Sequence, residues 1–327
     1  MTNAIATRRT VLPARKPTVA LALGGGGARG LAHIAMLEVL DELGVRPKVM
    51  AGTSIGALFG VAYAAGLSAA QIRAMTEETL SGRYDMFRQL FAARSNPVQK
   101  VLNLLPLRSA LLNAEAVVDM VLPSRMPTTF KGLQIPLRVV ATDLGRRATH
   151  VFTEGELKPA VAASIAIPVL FSPVVINRRT FVDGGLVNPL PYDLVAGEAD
   201  ITIAIDVSGG ATEADVGPSP SVLEAMMSSI GILERSITRE KLKVVKPDIY
   251  IDVDVDQFHI LEFYKPADIL KAAEPAKRAL KLQLARMLAS ETIEAANTIA
   301  AEEEGKPASR RRRPRLFSRK GAAGEGE

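Results

Sequence analysis

Gly52-Thr53-Ser54-Ile55-Gly56 is the stretch of this sequence best suited to covalent chemistry. It follows a short apolar run, Lys48-Val49-Met50-Ala51, and precedes a longer one from Ala57 to Ala65. G-x-S-x-G between a strand and a helix is a nucleophile elbow, a sharp turn that pushes the serine hydroxyl outward. The helix that follows presents unpaired N–H groups, which favour negative charge close by. Gly52 and Gly56 let neighbouring backbone approach the turn. The same five residues also suit an ordinary turn, so the other blocks of the chain must decide between the two readings.

A second block lies upstream. The apolar run Thr18–Leu23 ends in Gly24-Gly25-Gly26-Gly27-Ala28-Arg29-Gly30, and apolar residues then recur at near-helical spacing from Leu31 to Leu40. Gly25-x-Gly27-x-x-Gly30 matches the dinucleotide fingerprint, which raises a nicotinamide or flavin enzyme as a rival function. That fingerprint needs an acidic residue at the end of the next strand, where this chain has the Ser54 turn instead. The alternative use of the loop is acyl transfer. Glycine N–H groups converging on one point stabilise a developing oxyanion. Arg29 fits a role in orienting this loop through its backbone carbonyls, and equally fits a surface arginine.

A serine needs a base to take its proton. The chain has three histidines and no cysteine. His33 lies one turn into the first helix, His150 in a hairpin strand, and His259 after the last strand; by chain order His259 is the one that suits a Ser–Asp–His triad. A carboxylate touching the serine serves as well if its position and pKa suit. Asp183, at a strand end before Gly184 and Gly185, is the best placed, although an aspartate there also caps turns.

The elements that must hold these residues alternate. Strands are expected at 18–23, 48–51, 135–143, 149–152, 174–176, 180–182, 200–207 and 249–253. Helices are expected at 31–42, 57–65, from 71, at 115–121, 157–165, 218–245 and 268–301, the last kinked or restarted at Pro275. Such alternation implies a mostly parallel sheet covered on both faces. Val49–Ile72 carries no charge, but its glycines and hydroxyl residues read as the elbow plus a core helix rather than a membrane span. Of the net charge of +5, residues 305–327 contribute eight Lys/Arg against two Glu, so the body is close to neutral. This gives a flexible arm over 1–16, a folded domain over 17–304 with a helical lid-like insertion at about 81–130, and a disordered basic tail over 305–327. The absence of Trp and Cys leaves no aromatic platform for nucleic acid and no thiolate metal site. No metal or cofactor is expected. The basic residues of 310–320 suit contact with anionic lipid; the rival readings are a solvated tail and contact with nucleic acid, and no nucleic-acid partner is expected. The expected location is cytoplasmic or peripheral at the inner membrane face.

Taken together, Gly25-Gly26-Gly27-Ala28-Arg29-Gly30, Gly52-Thr53-Ser54-Ile55-Gly56, Ala163-Ser164-Ile165-Ala166-Ile167-Pro168 and Asp183-Gly184-Gly185 closely resemble the patatin-like phospholipases, from about Thr18 to Leu280. The likeness is greatest to compact bacterial members related to the catalytic domain of neuropathy target esterase. The resemblance implies a three-layer α/β/α sandwich with a mostly parallel central sheet, related to the α/β-hydrolases, and a Ser54–Asp183 dyad without histidine. It also implies an oxyanion hole from the N–H groups of Gly25, Gly26 and Gly27, with Arg29 and Gly30 completing that motif. The activity implied is hydrolysis of phospholipid, lysophospholipid or other acyl-lipid esters through an acyl-serine. A non-catalytic lipid-binding or scaffold protein on the same fold is the alternative.

Overall fold

The computed structural model describes residues 16–82, 112–123, 125–209 and 222–305. The expected arm up to residue 15, the greater part of the expected insertion and the tail beyond residue 305 lie outside the described residues.

Eight strands form one sheet: β1 (Val19–Leu23), β2 (Val49–Thr53), β3 (Leu137–Asp143), β4 (Ala148–Phe152), β5 (Val174–Ile176), β6 (Arg179–Asp183), β7 (Ile201–Asp206) and β8 (Ile249–Asp252). Five of them, in the order β3-β2-β1-β7-β8, run parallel. β4 and β6 pair antiparallel with β3, and β5 with β6. The sheet is therefore parallel at its centre and mixed at one end, because the chain there returns by short hairpins instead of crossover helices.

Parallel strands covered on both faces read as unbroken apolar runs. Val-Ala-Leu-Ala-Leu of β1 and Ile-Thr-Ile-Ala-Ile-Asp of β7 are buried throughout. Leu21, Leu23, Met50, Ile203 and Ile205 point into the larger core, under α1 (Ala32–Glu42), α2 (Ile55–Ala64) and the closing helices. Ala20, Ala22, Ala51 and Ala204 point the other way. These small residues let the segment 190–195 lie close to the sheet, where Tyr192 is fully buried and its hydroxyl donates to Val245 O at 2.7 Å. The other helices are α3 (Ala69–Gly82), α4 (Ala114–Val121), α5 (Leu157–Ser164), α6 (Val222–Val244), α7 (Pro266–Ala272) and α8 (Glu274–Gly305). The closing helix expected from 268 is thus two, divided at Ala273 two residues ahead of Pro275. Among the described residues no helix is long and apolar enough to cross a membrane.

One detail of register matters most for chemistry. On β3, Val139 and Val140 pair with Gly52 and Thr53 of β2 on one side and with Phe152 and Val151 of β4 on the other. The next residue, Ala141, pairs with His150 of β4 and with Asp183 of β6. A strand has only two edges, so β2 and β6 occupy the same edge of β3, end to end. β2 stops at Thr53 and β6 stops at Asp183, on consecutive residues of a shared neighbour.

Candidate active site

The head-to-head strands bring Ser54 and Asp183 together. Ser54 Oγ donates to Asp183 Oδ2 at 2.6 Å, and both residues are buried. Ser54 has φ 54° and ψ −125°, a conformation that costs a non-glycine residue about 1–3 kcal/mol. The surroundings fix it. Its N–H donates to Ser164 Oγ at 2.9 Å, and the Ser164 hydroxyl donates to Val140 O at 2.6 Å. Thr53 Oγ1 donates to Asn188 O at 2.8 Å, tying the other side of the turn to the loop after Asp183. Gly56 is dictated by packing: a Cβ there would fall 2.2 Å from Leu23 O, so only glycine lets α2 begin against the end of β1.

Asp183 is equally constrained. Its Oδ1 accepts from Gly185 N at 2.8 Å, its N–H donates to Ala166 O at 3.0 Å, and its carbonyl accepts from Thr142 Oγ1 at 2.6 Å. Burial pushes its carboxyl up to about 6, while the Ser54 hydroxyl and the Gly185 N–H act in the opposite sense. Such a carboxylate is a stronger base than a solvated aspartate yet remains mostly ionised at neutral pH, as a general base requires.

The glycine loop packs against the dyad, and a Cβ built on Gly25 would lie 3.4 Å from Ser54 Cβ. Gly25 corrects an expectation. Its N–H donates to Pro189 O at 2.9 Å, because the segment after Asp183 runs alongside the end of β1. That leaves Gly26 and Gly27 with N–H groups that have no partner among the described residues, at the N-terminus of the 3-10 turn Gly27–Leu31. Gly27 has φ +58°, a conformation that glycine adopts freely. Arg29 supports the loop through backbone carbonyls of other segments. Its guanidinium reaches away from its own loop, donating to Phe258 O at 2.6 Å and to Ser208 O, and so binds two other loops to this one. Gly30 lies against Ile55, Gly52 against Gly56, and Gly184 against Val140.

None of the histidines touches the dyad. His259 is exposed, and its ring accepts from Leu261 N at 3.4 Å. His150 packs between Phe152 and Phe181, and burial together with Arg179 lowers its pKa. His33 is fully buried and holds the glycine loop, with Nε2 2.9 Å from Gly24 O. A carbonyl can only accept, so Nε2 carries the proton; burial lowers the ring's pKa to about 4, and it is neutral at ordinary pH. Sequence reasoning left His33 and Ser164 without these roles, although Ser164 fell within a quoted block and His33 was placed behind the loop. It passed over Glu234 altogether, a carboxyl on α6 that faces the site.

Two cavities meet at Ser54. One, of about 240 Å³, is apolar and runs between α2, α3 and α4, with Leu58, Phe59, Leu80, Val117 and Phe171 among its walls. The other, of about 200 Å³, also has a largely apolar wall, with Leu186, Met227 and Ile230, but it holds the polar groups: the glycine loop, Asp183, Arg29, Glu234 and His259.

The family model described as patatin-like phospholipase matches residues 21–196. An NTE family protein of Mycobacterium tuberculosis is 39% identical over 207 residues, which cover 62% of this chain and 51% of that one. Patatin-like phospholipase domain-containing protein 7 of Mus musculus is 31% identical over 201 residues, 61% of this chain and 14% of that one. The matched segment thus spans about half of the mycobacterial relative and a small part of the mouse one. Among solved structures, VipD from Legionella pneumophila aligns over 86% of this chain and 71% of its own, at 15% identity and a TM-score of 0.42.

Proposed function

The chain belongs to the patatin-like phospholipase family, and from that premise we propose that it is a serine acyl hydrolase that cleaves lipid carboxylic esters with Ser54 as nucleophile and Asp183 as base. The observation that carries this reading is the 2.6 Å hydrogen bond from a strained, buried serine to a buried carboxylate. In the first half-reaction the Ser54 proton passes to Asp183 Oδ2 as Oγ bonds to the ester carbonyl carbon. The negative charge moves to the carbonyl oxygen, where the Gly26 and Gly27 N–H groups are its donors. The intermediate collapses with cleavage of the bond to the alcohol oxygen, which leaves with the proton from Asp183. Water then gives a proton to Asp183 and attacks the acyl-serine. That second intermediate releases the carboxylic acid and returns the proton to Ser54.

The apolar cavity suits the acyl chain, since each methylene it takes from water contributes about 0.8 kcal/mol. The polar cavity, on the side of Asp183, suits the departing alcohol. The test is hydrolysis of a medium-chain p-nitrophenyl ester and of a lysophospholipid by the wild type, Ser54→Ala and Asp183→Asn. We expect both variants to lose at least about a hundredfold in kcat/KM. Wild-type rates in either variant would remove that residue from the mechanism. A folded wild type that is inert on every ester, and whose Ser54 resists a fluorophosphonate, would favour a lipid-binding scaffold.

A further inference from the structure

Glu234 stands on α6 and lines the polar cavity with Ser54 and Asp183. It is half-buried, and its carboxyl has no hydrogen-bond partner among the described residues. A Cβ built on Gly185 would lie 2.0 Å from Glu234 Oε1 and 3.1 Å from Asp183 Oδ1, so Glu234 already fills the place of a side chain at 185 and the two carboxyls lie close together. An unpaired acid so close to a catalytic base is costly to keep unless it acts on what enters the cavity.

The chemistry of the dyad says what that is. To take up the proton that Asp183 received from Ser54, the departing oxygen must come within reach of Asp183, beside Ser54. Whatever the alcohol carries a few bonds beyond that oxygen then falls at Glu234. We propose that Glu234 is a specificity residue that reads the charge of the departing alcohol: as a neutral acid it donates a hydrogen bond to a phosphodiester there, and as a carboxylate it turns the phosphodiester away. This rests on the serine hydrolase reading above.

The groups facing Glu234 make this switch accessible. Asp183 at the end of β6 and Asp206 at the end of β7 oppose its ionisation, while Arg29, from the turn after the glycine loop, favours it. Arg235 on its own helix and His259 after β8 line the same cavity. Burial and the two aspartates outweigh Arg29 and push the carboxyl up to about 8. The acid is therefore mostly protonated at neutral pH and mostly ionised by pH 9.

The experiment compares kcat/KM for a lysophosphatidylglycerol and for a monoacylglycerol of the same chain length, from pH 6.5 to pH 9. The phosphodiester stays a monoanion and the glyceride stays neutral over that range, so the ratio reports the protein. For the wild type the ratio of the anionic to the neutral substrate should fall about tenfold, as expected for a new like charge across a short, partly solvated gap. In Glu234→Gln and in Glu234→Ala it should be flat. A flat ratio in the wild type, or an equal fall in both variants, overturns the proposal. If the wild type cleaves neither substrate, the hydrolase reading fails and takes this inference with it. Turnover of the monoacylglycerol that Ser54→Ala abolishes tells the two failures apart.

Discussion

The two cavities that meet at Ser54 both have largely apolar walls and differ in the charged groups set into them. The one under α2, α3 and α4 has almost no polar wall and makes contact by area alone. The one under α6 is of similar size but gathers Arg29, Asp183, Glu234, Arg235 and His259. Apolar contact is graded, so the first cavity can select chain length only in small steps. Charges in a confined space act in large steps and with pH, so selection by chemical identity belongs to the second. On the proposed reading, the difference divides substrate choice: length on one side of the serine, charge on the other.

The largest effect expected from breaking this arrangement is on the polar side. Asp183→Asn should lower kcat/KM at least about a hundredfold for short and long acyl chains alike, because it removes the base and leaves the apolar cavity intact. In the wild type, kcat/KM for a neutral ester should rise with pH and level off above about 6, as Asp183 loses its proton. An acid limb that persists unchanged in Asp183→Asn would place the base elsewhere.

Next in size is stability. His33 holds the glycine loop from within the core as a neutral ring, with a pKa lowered to about 4 against an ordinary value of 6.5. The unfolded chain therefore binds more protons than the folded one between these values. The stability that His33 gives is complete above pH 6.5 and is lost as the pH falls towards 4. Its upper bound is about 3 kcal/mol. Asp183 has the opposite sign, because its pKa is raised: ionising it in the fold is unfavourable, so its contribution declines as pH rises from 3.8 to about 6. Denaturant melts of Asp183→Asn from pH 4 to 7 should show a steeper acid loss than the wild type, since the compensating group is gone. Parallel curves would mean that the two groups do not titrate as described.

On the apolar side the effect is smaller. Val117→Trp narrows the cavity and should lower kcat/KM for long-chain esters about tenfold, the worth of roughly two methylenes, while leaving short-chain esters nearly unchanged. Equal losses for all chain lengths would show that the acyl chain lies elsewhere. Smallest of all is His259→Ala, for which we expect less than about a threefold change, since that ring has no contact with the dyad. A hundredfold loss there would restore the triad that the sequence alone left open.

How much could be read from the sequence follows from how local each feature is. Ser54 and Asp183 were legible because each sits in a turn whose glycines and flanking apolar runs are contiguous. The parallel centre of the sheet was legible from unbroken runs such as Ile201–Ile205. The antiparallel end was less so, because Val174–Ile176 and Arg179–Asp183 are too short to declare their partners. The family resemblance puts the Gly25 N–H in the oxyanion hole, and nothing near it in the chain speaks against that; Pro189, which takes that N–H, arrives from the far side of the fold. Glu234 was missed for the same reason. Among Arg235, Arg239 and Lys241 it reads as one charge on a solvated helix, and only the tertiary packing of α6 turns it towards the serine.

The end-to-end placement of β2 and β6 on one edge of β3 has a consequence for how this protein can change. Strand register moves in steps of about 3.3 Å per residue, whereas a hydrogen bond tolerates only a few tenths of an ångström. Ser54 and Asp183 are thus either in contact or far apart, with no intermediate setting. α3 and α4 wall the apolar cavity but belong to neither strand, so changes on their cavity faces leave that junction where it is. Substitutions there should therefore shift chain-length preference separately from the chemistry.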